Sequence, residues 1–147
     1  MKNTKDFEGT TDSEAFFHLI VQEAEDAGDP IEGIIRAVEK IVNRGISFSS
    51  LNFIASDGKK LQALRYANKR LSYYTLYYLE RPREALNLRK LSKETRQLIL
   101  MKLASREKAM LIASEPMSDE PHWKLIPNKH LAIINSNLKI KIISVSK

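Results

Sequence analysis

The chain has 147 residues, 43% hydrophobic and 29% charged with few Gly or Pro, which excludes a disordered or fibrous protein. A chain of this length buries roughly two thirds of the surface exposed on unfolding, enough for one ordinary domain spanning 1–147. It holds no Cys, so disulfides, thiolate metal sites and a cysteine nucleophile are excluded within it.

The formal net charge of +6 is unevenly spread. Residues 1–30 carry two Lys against eight acids, a balance of −6, whereas residues 59–108 carry fourteen Lys or Arg against four acids, a balance of +10. A basic face can attract nucleic acid. Here the charges are interleaved with apolar residues, as on a solvated face, and nucleic acid is the weaker expectation. Met1 to Asp6 has no apolar signal core, and no run approaches the roughly 20 apolar residues of a membrane span. The expected location is the cytoplasm, without a membrane partner.

Thr11-Asp12-Ser13-Glu14 has the capping-box pattern of a helix start. Phe16, Phe17, Ile20, Ala24 and Ala27 then recur at helical spacing until Gly28. Asp29-Pro30 starts a second helix, with Asp29 as N-cap and Pro30 where its missing N–H costs nothing. Ile31, Ile34, Ile35, Val38, Ile41 and Val42 form its apolar stripe, and Gly45 ends it.

The pattern then changes to strands. Leu51-Asn52-Phe53-Ile54-Ala55 and Leu61-Gln62-Ala63-Leu64-Arg65-Tyr66 flank Asp57-Gly58, a favoured two-residue hairpin turn. Ser72 to Leu79 is rich in Tyr and reads as a third strand, its rings packed in a sheet rather than set out for stacking on bases. Residues 80–91 are polar and irregular. Ser92 caps a third helix through Leu98, Ile99, Met101, Leu103 and Ala104. Ala109 to Ala113 reads as a short strand, Ser114 to Pro127 as a loop, and Leu131 to Ile134 with Leu138 to Val145 as a closing hairpin around Asn135-Ser136-Asn137. Segregated helices and antiparallel strands give an α+β fold class.

Chemistry-bearing patterns are sparse. His18, His122 and His130 share no metal-ligand spacing, so no metal is expected. There is no phosphate loop, nucleophile elbow or Walker lysine, so no cofactor is expected either.

One motif leads further. Thr11-Asp12-Ser13-Glu14 resembles the Ser/Thr-Asp-Ser/Thr-Glu motif that opens a helix in class II glutamine amidotransferases. The similarity continues in order through Leu51 to Gly58, Arg65-Tyr66, Leu76-Tyr77-Tyr78, Ile112-Ala113-Ser114-Glu115-Pro116-Met117, Trp123, Ile126-Pro127 and the closing strand pair, about residues 9–145. In that resemblance the chain is similar to the C-terminal portion of the domain. The fold it implies is the N-terminal-nucleophile hydrolase αββα sandwich, with helices packed on antiparallel sheets. By the same resemblance Asp12 binds the α-amino group of glutamine, while Ser114, Glu115 and Trp123 match family positions without a role.

The resemblance also implies what is missing. Complete members attack the glutamine amide with an N-terminal Cys whose α-amino group acts as base. Here Lys2 follows Met1, no Cys occurs and no Asn precedes Gly, so the nucleophile and the Asn-Gly pair of the oxyanion hole are absent, leaving no catalytic residue to assign. The expected partner is a separately encoded N-terminal half, or a second copy through self-association, because a half-sandwich exposes apolar sheet surface. With such a complement the substrate is glutamine or a γ-glutamyl compound. The alternative is a non-catalytic basic binding module, with nucleic acid as its ligand.

Overall fold

The computed structural model describes residues 11–80, 92–104, 109–117, 119 and 121–145. Of the stretch expected to be irregular at 80–91, Glu80 is a strand residue and the rest lies outside the described residues, as do the side chains of Ile99, Leu103 and Ala104. The described residues form two compact units, 11–47 with 145 and those between 48 and 144.

The first unit is a helical hairpin of α1 (Asp12–Ala27) and α2 (Pro30–Asn43). The caps form as the sequence implies. Thr11 Oγ1 accepts the Glu14 N–H at 3.3 Å, and Asp29 Oδ1 accepts the Glu32 N–H at 2.8 Å. Gly45, at φ 67°, closes α2 by donating to Val42 O while Ile46 donates to Ile41 O, the paired bonds of a Schellman motif. The two helices approach closely at Gly33, where a Cβ would lie 2.5 Å from both Cα and N of Ala24. Only glycine fits there.

That contact fixes which face of α1 turns inward. Ile20 and Glu23 are buried, and Glu23 accepts a hydrogen bond from Lys40 Nζ on α2. Phe17, expected in the apolar stripe, is 55% exposed. At 3.6 residues per turn it sits about 60° round from Ile20, on the flank of the buried face. In α2 the stripe holds at Ile34, Val38 and Ile41, while Val42 is exposed.

The second unit contains two antiparallel sheets. β1 (Phe53–Ser56), β2 (Leu61–Arg65), β6 (His130–Ile134) and β7 (Ile140–Ser144) form one, in the order β1-β2-β6-β7. β3 (Tyr77–Glu80), β4 (Met110–Ala113) and β5 (Lys124–Leu125) form the other, in the order β4-β3-β5, and α3 (Lys93–Ala104) lies between β3 and β4 in sequence. Both expected hairpins are present, with Ser56 opposite Leu61 and Ile134 opposite Ile140. Ala63, Leu76, Tyr78, Ile126, Ala132 and Ile134 form a buried core, against which Leu61, Met110, Ile112, Leu138, Ile140 and Ile142 pack. Side chains alternate across a strand, so Leu64 and Leu131 point to the opposite face of the four-stranded sheet. They are fully buried as well, as in a layered sandwich.

Three local expectations differ from the structure. The β1–β2 connection is a four-residue loop, not a two-residue turn. Asp57 Oδ1 accepts the N–H groups of both Lys59 and Lys60, at 2.8 and 2.6 Å, and these bonds set the longer loop. The third strand begins at Tyr77 rather than Ser72, because Tyr73 and Tyr74 both donate to Arg70 O in a turn, with Arg70 at φ 49°. Tyr78 is in the core, but Tyr73 is 71% exposed and edge-on to Tyr74. Finally, the segment expected as loop up to Pro127 contains β5, whose Lys124 and Leu125 lie opposite Tyr78 and Tyr77. Too short to show a period, a two-residue strand leaves no pattern in the sequence.

Candidate functional site

Asp12 occupies the first position of α1. Thr11 takes up the cap, so the Asp12 carboxylate is left exposed at the positive end of the helix dipole. Such a position stabilises a carboxylate and leaves it accessible to an ammonium group. His18, on the same helix, places Nε2 3.9 Å from Glu14 Oε1, one turn away.

The other histidines are dispersed. His122 is exposed in a turn, and His130 opens β6 with Nδ1 2.8 Å from Asn128 O. Among the described residues no three His, Asp or Glu are grouped so as to hold a metal ion. Ser114 and Glu115 are exposed after β4, and Ser114 O accepts the Thr75 hydroxyl at 2.6 Å. Trp123 is half-buried ahead of β5.

In the strand unit an open cleft of about 510 Å³ lies at the tips of the two hairpins. Ile54, Leu61, Met110, Ile112 and Leu138 line it with apolar surface, and Lys59 and Lys60 stand at its rim. Two of its polar groups serve their own turns. Ser56 Oγ donates to Lys60 O and accepts the Gly58 N–H, both at 3.1 Å, and Asn135 Oδ1 accepts the N–H groups of Asn137 and Lys139. The Asp57 carboxylate, held by the Lys60 and Lys59 N–H groups, sits below the usual carboxylate pKa. The Ser56 hydroxyl is thus given to a carbonyl and not to a base.

At the other end of β2 lies a residue whose role the sequence reading left open. Arg65 is buried, and donates from Nε to Tyr74 O at 3.1 Å, from Nη1 to Ile126 O at 2.7 Å and from Nη2 to Leu71 O at 2.8 Å. Burial pulls its pKa down from the ordinary arginine value. Its position carried a signal. Leu61, Ala63 and Arg65 share one face of β2, so the period of two places a guanidinium on the core-facing side. Nearby, Asn128 both accepts the Ala67 N–H at 2.7 Å and donates to Ala67 O at 2.9 Å, and Asn52 accepts the Tyr66 N–H. These side chains complete the backbone ladder where the strands end.

The family described as glutamine amidotransferases class-II matches residues 3–145. The chain belongs to that family. Its α+β fold with two antiparallel sheets is consistent with the family's N-terminal-nucleophile hydrolase sandwich. No curated protein matches the chain. Among solved structures it is similar to a glutamine aminotransferase class-II domain protein from Silicibacter pomeroyi, with a TM-score of 0.62 and 21% identity over 95% of this chain, a level that shows the fold alone. The match covers 54% of that protein, so this chain spans about half its length. These 147 residues therefore form a class II amidotransferase-like half-domain without a Cys, which removes the thioester route from them.

Proposed function

We propose that this chain supplies the glutamine-binding Asp12 of a class II amidotransferase domain, and that the nucleophilic Cys comes from a complementary half, in the cytoplasm. The observation that carries the reading is the family match across 3–145 together with Asp12 at the first position of α1, capped by Thr11 and exposed. In this reading residues 1–147 act as one portion of a domain, and the substrate is glutamine or a γ-glutamyl compound. The half carrying the Cys attacks the side-chain amide, and Asp12 holds the substrate ammonium so that the amide lies within reach.

The test compares glutamine with glutaramic acid, which lacks the α-amino group, in the complex reconstituted with a polypeptide that begins Met-Cys. Asp12→Ala should lower kcat/KM for glutamine about 10- to 100-fold, the range of one charge-assisted hydrogen bond, and leave glutaramic acid unchanged. Equal losses on both substrates would show that Asp12 does not meet the ammonium.

A further inference from the structure

The cleft at the hairpin tips lies where the two sheets of the strand unit end on the same side. β1 is the last strand of the four-stranded sheet and β4 the last of the three-stranded sheet, and residues of both line the cleft. Ile54 pairs with Ala63, and Ile112 pairs with Tyr78, so each edge strand points an apolar side chain to the core-facing side. Ile54 is nonetheless 49% exposed. Among the described residues the interior of the sandwich is open between these two edges.

A small-molecule pocket combines apolar walls with a few polar groups aimed at the ligand. Here Ser56 Oγ and Asn135 Oδ1 are both taken up by their own turns. Apart from Ser136 and the two lysines at the rim, the rest of the lining is mainly apolar surface beside two strand edges, the combination that adds strands. The chain also accounts for only 54% of the solved class II structure that it resembles, which leaves chain to fill the opening.

We propose that the opening between β1 and β4 is the docking seam for the rest of the class II domain, with Ile54, Met110 and Ile112 as its apolar anchors. This rests on the complementary half of the proposed function and names where that half sits.

The experiment tethers the full chain, through a flexible linker, to the part of the Silicibacter pomeroyi protein that it does not match, with every Cys of that part changed to Ser. The tether raises the effective concentration to roughly millimolar, which offsets the divergence of the two proteins. Because this chain has no Cys of its own, Ile54→Cys and Leu71→Cys each give one thiol, and Leu71, 51% exposed, lies outside the cleft. The expected result is alkylation at Ile54→Cys slowed at least tenfold by the tethered part, with Leu71→Cys unchanged. Equal rates at Ile54→Cys with and without the tethered part would overturn the seam. So would slowing in the untethered chain as its concentration rises, which would assign the opening to a second copy. No turnover enters the readout, so the seam can stand while the glutaminase reading fails, or fall while it holds.

Discussion

Arg65 Nη1 donates to the carbonyl of Ile126 at 2.7 Å across 61 positions of sequence, and with Leu71 and Tyr74 this carbonyl takes the place of a carboxylate partner. A guanidinium satisfied by three carbonyls ties β2 to the turn before β3 and to the residue after β5. Arg65→Met removes all three bonds and leaves the carbonyl of fully buried Ile126 without that donor. The expected loss is about 3 kcal/mol, the range for stranding buried polar groups. Arg65→Lys should recover little, because an ammonium cannot reproduce the planar fork. Urea unfolding of both variants checks this; full recovery by Lys would show that charge, not geometry, matters.

Gly33→Ala opposes two effects. Alanine favours a helix interior over glycine by roughly 1 kcal/mol. Its Cβ, however, would meet backbone atoms of Ala24 at 2.5 Å, which forces the helices apart. Overpacking costs about 1–3 kcal/mol, so the net effect is destabilising, with Tm falling by several degrees. Adding Ala24→Gly should not restore it, since the clash is with Cα and N as well as Cβ. A thermal melt of the single and double variants decides the point.

Glu23 is 3% exposed and is held by Lys40 from the facing helix. Lys40→Ala leaves that carboxylate buried without its cation. It should destabilise the chain by about 3 kcal/mol, and Glu23→Gln with Lys40→Ala should be milder than Lys40→Ala alone. A double-mutant cycle in denaturant measures the coupling; strict additivity would contradict it.

Asp57 is stabilised as the anion by the N–H groups of Lys60 and Lys59, so its folded pKa is depressed. The contribution is present above the unfolded carboxylate value, about 3.9, and is lost as pH falls through the lower folded value. Amide protection at Lys59 and Lys60 should therefore decline below about pH 4, and Asp57→Asn should weaken it at neutral pH without that acid dependence. Protection factors by NMR across the acid range read both.

Much of the fold was legible because its signals were local. The caps at Thr11 and Asp29, the stop at Gly45 and the pairing of β6 with β7 all follow from patterns within a few residues. What the sequence did not show depended on distant partners. The Tyr-rich run from Ser72 suits a strand, but Arg65 takes the carbonyls of Leu71 and Tyr74 and a turn forms instead. Phe17 fits a helical stripe but is 55% exposed, about two turns N-terminal of the Gly33–Ala24 contact, so the stripe's spacing alone did not show where the packing ends. Of the proposed site, Asp12 was marked by its place in a motif. The opening between β1 and β4 was not, because it exists only where two sheet edges that are far apart in sequence come together.

Ammonia release from glutamine, measured with the purified chain alone and again after mixing with a Met-Cys polypeptide, tests the central claim most directly. The chain alone should release none above the buffer rate, because its 147 residues contain no Cys, and release should begin on mixing. Catalytic release by the chain alone would contradict the account, since it would require a nucleophile other than the family's cysteine.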